Sequence, residues 1–129
     1  MAKKYNSKDL IKYTVAQMKR RRYATAHAFW VFAFENFLEE AYKKVTGSEP
    51  DPNLTNREIT DLLGRGGYNW RQLKNLNWKR NQIIHNAFIN EDESGEFSRL
   101  TEELGYVIFN DKKSLKERKE EIDTELALE

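Results

Sequence analysis

Residues 24–45 read ATAHAFWVFAFENFLEEAYKKV, and this stretch decides the fold class. His27, Trp30, Val31, Phe34, Leu38, Ala41 and Val45 recur at three- and four-residue steps. At about 100° per residue they share one stripe of an α-helix. Phe29, Phe32 and Ala33 form a second stripe on another side. A helix apolar on two sides lies at the centre of its fold, or between its fold and a partner. Gly47 ends it, and residues 48–53 form a loop that holds both prolines, Pro50 and Pro52.

The same period extends outward. Leu10, Ile11, Thr14, Val15 and Met18 share one face of a first helix, capped by Asn6 or Ser7. Lys19-Arg20-Arg21-Arg22 ends that helix or continues into the next. Thr55-Asn56-Arg57-Glu58 is a capping box opening a short helix with Ile59, Leu62 and Leu63. Gly64-Arg65-Gly66-Gly67 then breaks the chain. A long helix capped near Asn69 is expected to run to about Phe88, and Asp92 to Gly95 is a turn. Phe97, Leu100, Leu104, Val107 and Ile108 mark a further amphipathic helix, ended by Asn110-Asp111. A last helix carries Leu115, Ile122 and Leu126. No repeat or alternating strand pattern appears. The expectation is an all-α bundle of five or six helices, one domain over 1–129, with 111–129 as a charged, loosely held C-terminal helix.

The chain has no cysteine, so disulfides and thiolate metal sites are excluded. No apolar run approaches the roughly 20 residues that span a bilayer. The N-terminus is charged and has no apolar core for a signal peptide, so a cytoplasmic protein with no membrane partner is expected. The net charge of +1 conceals an uneven spread. Residues 1–22 hold eight Lys/Arg against Asp9, giving +7, and residues 91–129 hold six Lys/Arg against thirteen acids, giving −7. Between Asp61 and Glu91 there is no acid, while Arg65, Arg71, Lys74, Lys79 and Arg80 lie there. The basic stretches suit a polyanion; the alternative is a solvated surface with an acidic C-terminal face.

On a helical wheel of residues 70–88, Trp70, Leu73, Leu76, Ile83, Ile84, Ala87 and Phe88 fall on one side, with Arg80 in their midst. A guanidinium there must meet a carboxylate, face a second subunit or point into a cleft, because burying it alone is very costly. The structural alternative is a surface His85 and an Arg80 paired inside the bundle, with Glu35 as the candidate partner. Beside the arc runs a polar strip of Lys74, Asn77, Asn81 and His85, with Trp78 at its edge. Asn81 and His85 are neighbours at i and i+4. Arg80 reaches the same spot only by curling its stem across Asn81 or Ile84.

Arg80-Asn81-Gln82-Ile83-Ile84-His85 resembles the signature of the HEPN superfamily, an Arg and a His about four residues apart with a polar residue after the Arg. Its place on a late helix of a small helical domain also matches. The spacing occurs a second time, from Arg22 to His27. That copy has Tyr23 after its Arg, straddles a helix junction and puts His27 in an apolar stripe. His27 is therefore expected to be structural, with a part in lining a site left open. Some HEPN toxins carry a Tyr two residues after the His, used in control by a partner enzyme. Here that position is Ala87, so neither that control nor a nucleotidyltransferase partner is carried over.

The resemblance implies an endoribonuclease that needs no metal or other cofactor. The 2′-hydroxyl attacks the adjacent phosphate and leaves a 2′,3′-cyclic phosphate and a 5′-hydroxyl. A histidine, whose reference pKa is about 6.5, takes and gives protons near neutrality. An arginine holds the developing phosphorane charge with paired donors. The implied catalytic residues are Arg80, His85 and Asn81, the last positioning phosphate or orienting His85. Arg71, Lys74, Asn77, Trp78 and Lys79 are expected to bind RNA, with Lys19 to Arg22 guiding its backbone. Tyr68, Trp70 and Trp78 are candidates for stacking on unpaired bases, at least one of them instead being core. One motif per chain supplies a single histidine for two proton transfers, which implies a symmetric homodimer with a composite cleft. A toxin, defence or stress effector of this kind has an antitoxin or a neighbouring regulatory protein as partner.

Two readings compete. Leu54 to Gly64 followed by Tyr68 to Leu76 is similar to a DNA-binding helix-turn-helix, although its turn is glycine-rich and its second helix long. The other is a non-catalytic helical interaction domain that uses the two-sided helix. The two histidines and scattered acids show no metal-ligand spacing, and Gly64 to Gly67 lacks the Lys-Ser/Thr ending of a phosphate loop.

Overall fold

The computed structural model describes residues 5–85 and 95–127, with side chains as far as Ile122. The described residues form six helices: α1 (Ser7–Lys19), α2 (Tyr23–Thr46), α3 (Asn56–Arg65), α4 (Trp70–His85), α5 (Glu96–Phe109) and α6 (Leu115–Ala127). There is no strand among them, and no helix is long and apolar enough to cross a membrane. The helix expected to reach Phe88 is described through His85; Ala87, Phe88 and most of the turn at 92–95 lie outside the described residues.

Local sequence sets the helix ends. Asn6 Oδ1 accepts from the Asp9 amide at 2.8 Å and caps α1. Thr55 and Glu58 exchange the two bonds of a capping box. Gly47 adopts φ 78° after α2, a left-handed conformation that favours glycine, and its N–H reaches the Lys43 carbonyl at 2.8 Å. Asn110 closes α5 in the same region at φ 52°.

Helix α2 is the centre, in contact with α1, α3, α4 and α5. Its first stripe supplies Trp30, Phe34 and Leu38, fully buried with Ile11 and Val15 of α1, Leu63 of α3, Leu73 and Leu76 of α4 and Leu104 of α5. The second stripe divides. Ala33 is buried and Phe29 half-buried, while Phe32 is 51% exposed. Val45, expected on the buried stripe, is 39% exposed because α2 outruns its neighbours there.

Two expectations about the α3–α4 corner are corrected. The break lies at Gly66 and Gly67 (φ 102°), not at Gly64, which is inside α3. Trp70, placed by the wheel on the apolar arc, is 40% exposed and donates from Nε1 to Asp61 Oδ1 at 2.7 Å. It lies against Gly64, where an added Cβ would sit 2.8 Å from the Trp70 Cβ. Gly64→Ala should therefore displace Trp70 and destabilise the fold by about 1–3 kcal/mol. A urea midpoint equal to that of the wild type would show that the corner gives way freely.

Helix α6 is fastened by the buried Leu115 and Ile122 and by Arg118, which is 5% exposed. Arg118 pairs with Asp111 and lies 4.5 Å from the Phe109 ring centroid, in space that Gly105 leaves open. Glu102 joins α5 to the start of α6. Its carboxylate accepts from the Tyr106 hydroxyl and, at 2.9 Å, from the Leu115 amide. The Tyr106 bond first, then the Leu115 amide, hold the Glu102 carboxyl below the usual carboxylate range. A pKa lower in the folded state adds stability above the unfolded pKa, and this stability is lost as pH falls through the folded value. Glu102→Gln should thus destabilise the protein near pH 7 and become indistinguishable from wild type in acid. Urea denaturation across pH checks this: the deficit should shrink as pH falls below the ordinary carboxylate value, and a deficit independent of pH would place the effect elsewhere.

Candidate functional site

Helix α4 and the corner before it contact α2. Gly66 packs near Val45, Tyr68 meets Phe37 edge-on at 6.0 Å, and Arg80 meets Glu35. Only Leu73 and Leu76 of α4 are fully buried. The arc expected around Arg80 is more open than the wheel implies: Ile83 is half-buried and Ile84 is 39% exposed. In the second half of α4 no residue is fully buried, and residues 79–83 are half-buried.

Arg80 is the hub of this half. Its side chain is 26% exposed and that of Glu35 36%. Nε donates to Glu35 Oε1 at 2.9 Å and Nη2 donates to the same oxygen. Nη1 donates to Asn81 Oδ1 at 2.9 Å. The guanidinium thus curls over Asn81, as the wheel requires if it is to approach the polar strip. His85 is exposed one turn beyond Asn81. Glu35 is the carboxylate the sequence offered, and a pair removed in part from water is costly to break. Glu35→Ala leaves the guanidinium without its anion and should cost about 1–3 kcal/mol. The double variant with Arg80→Ala should lose less than the sum of the singles in urea titrations; strict additivity would show the two groups to be uncoupled.

The residues expected to bind RNA are spread over two faces. Trp78 is 55% exposed, and Lys79 Nζ lies 5.1 Å from its ring centroid while pairing with Glu96 of α5. Lys74 lies 4.6 Å from the Trp70 ring centroid, toward the other end of α4. Arg71 is exposed on that same first turn. Asn77 is half-buried, and its Oδ1 is enclosed without a donor among the described residues. Trp78, Lys79, Arg80, Asn81 and His85 therefore gather at one end, and Arg71 and Lys74 lie apart from them. Tyr68 is half-buried against Phe37 and forms part of the packing.

His27 is 7% exposed, with its ring edge-on to Phe97 at 4.1 Å and 88°. This is a core histidine between α2 and α5, and the second Arg-to-His spacing is not a surface site. A groove of about 1030 Å³ lined by Lys8, Lys44, Tyr68, Gln72 and Tyr106 lies at the start of α4 and contains neither Arg80 nor His85. The described residues include no group of His, Asp and Glu able to hold a metal ion. What reading residue types missed was the support around Arg80: Lys79 is tied to Glu96 across a 17-residue separation that no helical period signals. No protein-family model matches the chain, and neither a curated protein nor a solved structure matches it.

Proposed function

We propose that the chain is a HEPN-type endoribonuclease that cleaves RNA by 2′-hydroxyl attack without a metal. The observation that carries this reading is the Arg80 guanidinium held over Asn81 by two bonds to Glu35 and one to Asn81, one turn before the exposed His85. In the reaction a base removes the 2′-hydroxyl proton, the 2′-oxygen bonds to phosphorus, and the bond to the 5′-oxygen breaks as that oxygen gains a proton. The products are a 2′,3′-cyclic phosphate and a 5′-hydroxyl. His85 serves as base or acid, and Arg80 neutralises the phosphorane oxygens. Asn81 keeps Arg80 and His85 on one face.

Two proton transfers and one His85 per chain call for a second subunit. The exposed Ile84 and the half-buried Ile83 beside Arg80 give a two-fold partner an apolar edge, and two copies of His85 then share one cleft. The partner substrate is RNA; a toxin or defence role under an antitoxin or a neighbouring regulator fits the same chemistry. The test is cleavage of an end-labelled, partly single-stranded RNA in excess EDTA, with wild type beside His85→Ala. Intact RNA with the wild-type protein, or equal cutting by the variant, would overturn the proposal. Light scattering at micromolar concentration tests the dimer, and a monomer there would remove the composite cleft.

A further inference from the structure

The large apolar groups exposed on α1 and on α2 up to Glu35 are all aromatic: Tyr13 is 42% exposed and Phe32 51%, with the half-buried Phe29 between them. Tyr13 and Phe29 rings lie 5.8 Å apart at 47°, and Tyr5, 50% exposed, stands edge-on to Tyr13. On α2 the positions 29, 32 and 35 step by three residues, each about 60° round and about 4.5 Å along. The row thus leads from Tyr13 on α1, across Phe29 and Phe32, to Glu35 and the Arg80 it holds. At the other end lie the exposed Arg20, Arg21 and Arg22. Arg20 is two turns beyond Tyr13 on α1, and Arg22 two turns before Phe29, so both share the faces of the rings.

We propose that this ridge is a stacking platform for the unpaired bases of single-stranded RNA, entering at the arginine corner and ending at Arg80. The inference rests on the ribonuclease reading for its substrate and adds the class of RNA. Flat rings beside a row of cations match the two repeating parts of a single strand, a π face on every base and a charge on every phosphate. A duplex hides its base faces and cannot use the rings. Helix α6 packs on the side of α1 that presents Ile11, Lys12 and Val15, turned away from Tyr13. The one carboxylate on α1 is Asp9, a turn before Tyr13.

The experiment is fluorescence anisotropy with the full chain and a labelled 2′-fluoro 12-mer that cannot self-pair, beside the same strand in a duplex. The 2′-fluoro group removes the attacking hydroxyl, so binding is read without cleavage. Tyr13→Leu and Phe32→Leu, checked by thermal melting for folding, should each weaken single-strand binding about tenfold and leave duplex binding within about twofold. Arg20→Gln/Arg21→Gln/Arg22→Gln should lower the slope of log affinity against log salt by about 2, at about 0.7 per phosphate contact. Wild-type affinity in both aromatic variants, or equal losses for strand and duplex, would overturn the ridge. A drop in the sedimentation mass of the free protein with either variant would overturn it too, because the ridge would then join two copies of the chain. Ridge-dependent binding without cleavage of natural RNA would sink only the catalytic reading; cleavage with ridge-independent binding would sink only this one.

Discussion

Replacing His85 with alanine should lower RNA cleavage by about 10²–10⁴-fold, the usual loss when a positioned proton donor or acceptor is removed. The side chain is exposed at the end of the described part of α4, so truncation removes chemistry and little packing. Circular dichroism and the melting temperature of the variant should match the wild type. Arg80→Ala should cost about 10²–10³-fold through lost charge stabilisation, but it also strips Glu35 of its partner. Arg80→Lys is the cleaner test. It keeps a cation near Glu35 and lacks the planar fork that grips two phosphate oxygens, so activity should stay well below wild type while stability largely returns. His27→Ala should behave in the opposite way, with a lower melting temperature and unaltered turnover per folded molecule, because the ring is buried against Phe97. Equal cutting by wild type and His85→Ala would assign the activity to another residue or another protein. Adding inactive His85→Ala protein in excess should also depress wild-type activity beyond simple dilution, because mixed dimers hold one His85. No such depression would argue that one chain holds a complete site.

Trp30→Ala should be the most damaging single change to the fold, with a loss of about 3–5 kcal/mol. Trp30 is fully buried and stacks on Phe34 at 5.8 Å and 16°. Its Nε1 donates to the Leu100 carbonyl at 3.3 Å, which joins α2 to α5 through the middle of the core. Alanine leaves a cavity in the middle of the core and removes the Nε1 bond that ties α2 to α5. Against a total stability of about 5–15 kcal/mol this is a large fraction. The melting temperature should fall by on the order of 10–20 °C, and Trp30→Phe should recover part of it by refilling most of the space. A loss below about 1 kcal/mol in urea would mean that the helices close around the gap, and that Trp30 does not organise the core.

The helices were legible because their signals are local. The stripe from His27 to Ala41, the cap at Asn6, the box at Thr55 and Glu58, and the stops at Gly47 and Asn110 each depend on residues within a turn or two. That Arg80 meets a carboxylate, faces a second subunit or points into a cleft also followed from the sequence, with Glu35 as a candidate partner, and packing chose Glu35. Periodicity tells which residues share a face; it does not tell how much of that face a neighbour covers. That was decided by tertiary packing. Of α4 only Leu73 and Leu76 are fully buried, and Ile84 and Trp78 lie exposed on the helix that carries Arg80 and His85. Trp70 turned outward because Gly64 and Asp61, one and two turns back along the chain from the corner, offered it a flat seat and a hydrogen bond. Arg118 was buried, which its charged helix did not suggest, because Gly105 left room and Asp111 supplied the anion. The meeting of Phe29 with Tyr13 likewise depends on how α1 lies along α2, a relation between helices that neither helix specifies alone.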